Sequence, residues 1–441
     1  MGKGSERSRA EDPAPPSGLR HAVRAFRHRN YVLFWCGALA SNTGSWLSNL
    51  TVPYVLYQMT GSALWVGMVS VWQFLPGLLL GPVGGALADR HERRLVVFLT
   101  QTGMAAAAFL MWAAWQWGFR EPLVLLALVG LSGIFQGLNL PSWQSLVSDL
   151  VPRGDLTSAV SLNSLQFNAA RAIGPAIAGA LLAALGPSWA FFLNGLSFFF
   201  VLAALSFIRG LGGAEPTAAP SSGVARQFAE AVRYIRGKPG ILVSLLVSVL
   251  VGVLGNPVFQ LTVVFAESVF HTGAVGLGLL NASLGVGAVL AAPLVSGGFR
   301  GVSLSRTVRW GLVVYGVALM SFAAAPGYLF ALLSLAVVGG CFLAVVSGVN
   351  TSVQLMVADR LRGRVMACRI MVTTASFPVG GLLQGYLTDL LGPRAALCGV
   401  GAVMLLSALL LMRGFGRLRL DRLDDPHDTD APARSSLPPI S

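Results

Sequence analysis

The sequence predicts an all-α membrane protein: twelve transmembrane helices in two pseudo-symmetric six-helix bundles. Three observations predict it. Of 441 residues, 54% are hydrophobic and 11% charged, against roughly a quarter charged in an ordinary soluble domain. Apolar runs of membrane-crossing length follow one another from Tyr31 to Met412. A crossing takes about 20 apolar residues, and lipid offers the backbone no hydrogen bonds, so each run is expected to be a helix. The third observation is that the cations sit in alternate gaps between the runs.

Taken in order, residues 1–30 form a basic tail with Pro13, Pro15 and Pro16 and no cleavable apolar core, read as disordered and not as a signal peptide. The first bundle, 31–209, has helices expected near 31–58, 63–88, 95–117, 122–147, 158–184 and 188–208. A linker, 210–240, begins rich in Gly, Pro, Ala and Ser. It continues with Val224, Phe228, Ala231, Val232 and Ile235 at helical spacing, an amphipathic helix expected to turn its apolar face to lipid. The second bundle, 241–412, has helices expected near 241–266, 275–297, 306–325, 328–352, 366–390 and 394–412. The polar tail 413–441 is expected to be disordered.

All but three of the 31 Lys and Arg residues fall in the tails or in alternate gaps, among them Arg90, Arg93, Arg94, Arg362, Arg364 and Arg369. Arg120 and Arg394 lie in the other gaps, and Arg171 lies inside the fifth helix. Short Lys/Arg-rich loops stay cytoplasmic, which puts both termini in the cytoplasm of a multi-pass cell-membrane protein. The net charge of +13 is thus topological: it suits anionic lipid head groups and argues against a nucleic-acid partner. Cys36, Cys341, Cys368 and Cys398 have no metal-like spacing and are assigned to packing, and the histidines all fall in tails or loops. No cofactor or metal is expected.

The halves repeat each other. Gln144 to Asp149 after the fourth helix recurs as Gln354 to Asp359 after the tenth, and Leu185-Gly186-Pro187 recurs as Leu391-Gly392-Pro393. Six helices per half give both halves the same orientation, which suits parallel repeats about an axis along the membrane normal with a midplane site between them.

The loop after the second helix reads Gly85-Ala-Leu-Ala-Asp89-Arg90-His-Glu92-Arg93-Arg94 and resembles the loop signature of the major facilitator superfamily, departing at Glu92 where the pattern has glycine. A carboxylate at that position can accept bonds from another helix's amino terminus, making Gly85, Asp89, Arg90, Arg93 and Arg94 a conformational latch. The fifth helix carries Ala170-Arg171-Ala-Ile-Gly174-Pro175-Ala-Ile-Ala178-Gly179, similar to the superfamily's antiporter motif with two glycines replaced by alanine. Its Arg171, Gly174, Pro175 and Gly179 are the motif candidates. Further segments, including Arg29-Asn30-Tyr31, Asn42-Thr-Gly44-Ser45-Trp46 and Arg362-Gly363-Arg364, resemble the branch holding the enterobactin exporter and macrolide efflux proteins.

The resemblance implies an exporter of a small amphipathic solute, drug- or siderophore-like, working by alternating access and proton antiport as a monomer. It also implies a cavity lined by the first, fourth, seventh and tenth helices. On these, Asn42, Trp46, Asn49, Tyr54, Gln136, Asn139, Trp143, Asn256, Gln260 and Asn350 are the substrate-binding candidates. Arg171, costly at a bilayer centre by about 2.5–3.5 kcal/mol, is expected to face the interior and meet an anionic group or to bond helix-end carbonyls. The first helix has no acid to carry a coupling proton; Glu267 is the proton-site candidate, with an exposed loop carboxylate as its other reading. An uptake permease on the same fold is the alternative function. A membrane-bound enzyme would need paired acids, a metal set or a nucleophile with its base, and no loop supplies one.

Overall fold

A computed structural model describes residues 23–208, 224–293, 303–413 and 420–424, and the chain in them is helical with no strands among the described residues. The first helices are α1 (Arg29–Thr60), α2 (Ala63–Arg90), α3 (Arg93–Gln116) and α4 (Pro122–Asp149). Leu156–Phe207 is broken at Gly186 into α5 (156–185) and α6 (187–207). The second set is α7 (Pro239–Val269), α8 (Gly273–Pro293), α9 (Leu304–Ala323), α10 (Tyr328–Met356), α11 (Asp359–Leu391) and α12 (Pro393–Arg413). Nine stretches among the described residues, with α5 and α6 counted as one, are long and apolar enough to cross a membrane. Together with α1 and α9 they accommodate the twelve expected crossings.

The two Leu-Gly-Pro links have one geometry. Gly186 sits at φ 80°, ψ 175° and Gly392 at φ 83°, ψ 158°, a region open essentially to glycine alone. A turn that only glycine makes, followed by a proline that starts the next helix, explains why the same tripeptide joins the fifth to the sixth helix in each half.

Helices of each half pack mainly on one another: α1 on the α5–α6 arm, α2 on α4 and α3 on α4 in the first; α8 on α10, and α9 on α10 and α12, in the second. Tyr31 on α1 is fully buried and its hydroxyl donates to the Ala159 carbonyl of α5 at 2.7 Å. The halves meet along two seams, α2 against α11 and α5 against α8. Apolar side chains gain little by leaving lipid for a helix interface, so close backbone approach holds such seams. A Cβ on Gly381 would lie 2.8 Å from the Gly67 carbonyl oxygen, and one on Gly278 would lie 2.6 Å from that of Pro175.

In α7 the π-helical turn Val251–Gly255 interrupts the ladder. Gln384 of α11 donates to the Val253 and Leu254 carbonyls at 2.7 and 3.0 Å, satisfying oxygens that a regular helix would use itself.

Four expectations change. The linker helix, Val224–Arg236, does not give all of its apolar face to lipid: Ala231 and Ile235 are buried in the core of the second half, and Glu230 pairs with Arg364 of α11 at 2.6 Å. Second-half apolar surface lies within reach of this short helix. Arg369 is not a loop cation; α11 begins at Asp359 and carries Arg369 into the interior, 8% exposed. Glu267 is not on an exposed loop but on the last turn of α7, half-buried. The tails supply a fourth change where they are described: Arg24–Arg27 forms a helical turn and α1 already begins at Arg29, while Leu420–Asp424 forms another turn with Leu420 and Leu423 buried, so neither stretch is the disordered tail expected. Residues 1–22, 209–223, 294–302, 414–419 and 425–441, with the rest of both tails and the Gly/Pro/Ser linker stretch, lie outside the described residues.

Candidate functional site

Both seams are built in one half of the helices. On α2 the contacts with α11 run from Ser62 to Phe74, and on α11 from Phe377 to Asp389. On α5 and α8 they run from Arg171 to Gly179 and from Ala274 to Gly285. All lie toward the face bearing Gly61, Gly186 and Gly392, away from the arginine-rich ends at Arg90, Arg153 and Arg362. At the arginine-rich face Gly81 and Gly85 of α2 and Gly363 of α11 face open space. The ion pairs Arg93–Asp149, Arg24–Asp155, Arg309–Asp421 and Arg364–Glu230 there each join parts of the same half or its linker. Among the described residues, the structure is therefore closed at the face opposite the arginines and parted at the arginine-rich face.

Beneath the closed face a polar chain crosses between the halves. The Ser70 hydroxyl of α2 donates to Gln260 Oε1 of α7 at 2.5 Å, Gln260 Nε2 to Gln73 Oε1 at 3.4 Å, and Gln73 Nε2 to Asn49 Oδ1 at 3.3 Å. Asn49, Gln73 and Gln136 line a cavity of about 70 Å³ with Ser45, Ser48 and Ser132. The structure thus joins the candidates Asn49, Gln136 and Gln260, and adds Ser70 and Gln73. Tyr54 lies one turn from this chain: Gln58 Nε2 donates to Tyr54 Oη at 3.4 Å and to Glu267 Oε2 at 2.5 Å, so Glu267 of α7 is tied across the halves to α1. Its Oε1 is buried with no hydrogen-bond partner among the described residues.

Other candidates go elsewhere. Asn139 is buried inside the first half, accepting from the Thr100 hydroxyl of α3 at 2.9 Å. Asn350 accepts from Arg369 at 2.8 Å inside the second half. Trp143 packs on Phe34, ring centroids 4.6 Å apart. Trp46 packs on α5 at Gly174, where a Cβ would come within 2.5 Å of the indole. Asn42 and Asn256 are half-buried and make no side-chain hydrogen bond among the described residues.

Arg171 reaches out of the first half into the second. Its guanidinium carbon lies 4.5 Å from the ring centroid of Phe259 on α7 and 4.9 Å from that of Phe342 on α10, within cation–π range. It has no carboxylate in ion-pair reach among the described residues. The same stretch of α5 makes the seam with α8: Pro175 and Gly179 face Gly278, and Ala172 faces Gly285.

At the arginine-rich face Asp89 and Arg90 are exposed, and Asp89 has no partner among the described residues. Arg93 is committed to Asp149 at 2.8 Å, and Arg94 reaches the Ser206 carbonyl at 3.4 Å. Outside the spans, a hydrogen bond from His28 and then the Arg24 charge hold the Asp155 carboxyl below its usual range. Its partners lie on the turn before α1, so the pair ties that turn to the start of α5.

Sequence reasoning missed Gln73, which sits on a helix outside the expected cavity set. Its signal was a lone glutamine inside Val71-Trp72-Gln73-Phe74-Leu75. The aromatic slot of Phe259 and Phe342 carried no signal, since two Phe residues in apolar runs read as packing.

Residues 21–434 match the family described as transmembrane secretion effectors. The chain is 28% identical over 384 residues to the enterobactin exporter EntS of Citrobacter koseri, covering 85% of this chain and 86% of that one. It is 25% identical over 382 residues to the multidrug efflux pump Tap of Mycolicibacterium fortuitum, covering 85% and 93%. Among solved structures, a POT peptide transporter superposes with a TM-score of 0.72 at 14% identity, over 90% of this chain and 96% of that one, a likeness of fold.

Proposed function

The chain belongs to the transmembrane secretion effector family of the major facilitator superfamily, multi-pass membrane transporters, and we propose that it exports a small amphipathic solute from the cytoplasm by alternating access. The observation that carries this reading is the asymmetry of the seams: contacts between halves gathered at one face, with parted helix ends at the other. With both termini on the cytoplasmic side, a placement that the arginine distribution supports, this is an inward-open state. The halves, 31–209 and 241–412, act as two rigid bodies. Solute enters past the arginine-rich ends and meets the polar patch of Asn49, Gln73, Gln136 and Gln260 in an apolar setting, which suits an amphipathic molecule.

Reorientation parts the outer seams and closes the inner ends, where the free Asp89 and its arginines engage as the latch. Arg171, held across the halves by two aromatic faces, is disturbed by any such movement. The relatives named for enterobactin export and multidrug efflux support outward transport of drug- or siderophore-like compounds. Proton antiport follows from the resemblance, with Glu267 as the carboxylate that joins α7 to α1 in this state. Uptake on the same fold is the rival reading.

Inverted membrane vesicles energised with a proton gradient and offered enterobactin or ethidium test the proposal. Accumulation inside inverted vesicles, abolished by Asp89→Asn, is the expected result; accumulation in right-side-out vesicles alone would establish uptake instead.

A further inference from the structure

The amino terminus of α2 is capped from the other half of the molecule. Ser62 is the N-cap residue of α2, a residue type that normally turns its hydroxyl back onto its own first-turn amides, yet it makes no such bond. Asp389, near the carboxyl end of α11, occupies that role. Its Oδ1 accepts from the Ala63 amide at 2.6 Å, and its Oδ2 accepts from the Leu64 amide at 3.0 Å and from the Ser62 hydroxyl at 2.5 Å. Three donors therefore converge on one carboxylate across the α2–α11 seam, at the face where the halves are closed.

The electrostatics favour this placement only while the seam is shut. A carboxylate at the last turn of its own helix faces the negative end of the helix dipole, and one at the first turn of another faces the positive end. Asp389 sits at the wrong end of α11 and the right end of α2. If the halves part, Asp389 keeps only the unfavourable neighbour. The α2 amides lose their acceptor, while the Ser62 hydroxyl becomes free to cap its own helix.

We propose that Asp389 is the outer latch of the transport cycle: a positioning residue that holds the face opposite the arginines closed by capping α2 in trans, and that Ser62 takes over the cap when this face opens. The inference rests on the alternating-access reading above and adds to it the residue that stabilises the state described here. Its sense is opposite to that of Asp89, which is unengaged while Asp389 is bound.

The test is a distance measurement by pulsed electron paramagnetic resonance on the full chain in lipid nanodiscs. Spin labels go on Phe119→Cys and Leu329→Cys, exposed positions on opposite halves at the closed face, with Cys36, Cys341, Cys368 and Cys398 replaced by Ser. Bonds to a charged acceptor are the strong ones, so Asp389→Asn and Asp389→Ala should each raise the longer-distance, outer-open population by about tenfold or more. Asp89→Asn should lower it, and the Asp89→Asn/Asp389→Asn double variant should return toward the starting balance. Asp389 is exposed, so the variants remain folded while the population shifts. Distances unchanged in both Asp389 variants, or shifted in the same direction as Asp89→Asn, would overturn the latch while leaving alternating access standing. A single distance in every variant, with and without solute, would remove both.

Discussion

Two arginines lie inside helices that occupy the same place in the two halves, Arg171 on α5 and Arg369 on α11, and the fold treats them differently. Arg369 stays at home: it donates to Asn350 of the neighbouring α10 and is buried within the second half. Arg171 crosses over, its guanidinium lying against Phe259 and Phe342 of the opposite half. A cation satisfied inside one rigid body keeps its contacts however the bodies move, whereas one satisfied by the other body has contacts that depend on the conformation. Pseudo-symmetry repeats the helices and their links; it does not repeat the interface.

Breaking that contrast should start with Arg171. Arg171→Gln removes two cation–π contacts that together favour the present state by about 1–3 kcal/mol, so solute flux in vesicles should fall about tenfold or more while the protein remains folded. Flux equal to wild type would place the residue outside the cycle. Asn350→Leu sharpens the other side. It leaves Arg369 buried without its acceptor, at a cost of about 1–3 kcal/mol, so the thermal midpoint should drop by several degrees with flux per folded molecule retained.

The links test whether the halves are equivalent where they do repeat. Gly186→Ala and Gly392→Ala each force a side chain into a glycine-only region, costing about 1–3 kcal/mol, and differential scanning fluorimetry should show similar losses for the two. Unequal losses would mean that the shared tripeptide hides different constraints. The smallest effect belongs to Asp155. Its carboxyl is held low by His28 and Arg24, so the ionised form stabilises the fold above its ordinary range and that contribution is lost as pH falls through the folded-state value. Asp155→Asn should lower the neutral thermal midpoint slightly and flatten its decline below about pH 4, where the variant and the wild type converge.

Much of this architecture could be read from the chain because lipid imposes local rules. Each span had to be an apolar helix, and the Leu-Gly-Pro repeats announced the two breaks at Gly186 and Gly392. Arg369 was misread because α11 starts in a cluster of polar residues, Asp359 to Arg364, that has the composition of a loop. Glu267 was read as loop for a similar reason, its helix ending in a π-turn. The seam chemistry was illegible for a different cause: Asp389 meets α2, and Gln260 meets Ser70, across hundreds of residues of chain, and no local spacing encodes a partner so distant. The same holds for Arg171, whose burial was foreseeable from its place in an apolar run but whose aromatic neighbours were not.

The central claim, a pathway open toward the arginine-rich cytoplasmic side and shut on the other, can be tested most directly by labelling Gln136→Cys with a membrane-impermeant maleimide in a background lacking the four native cysteines. Gln136 is exposed and lines the polar cavity. The account predicts rapid modification in inverted vesicles and protection in intact cells. Modification in intact cells with protection in inverted vesicles would contradict it.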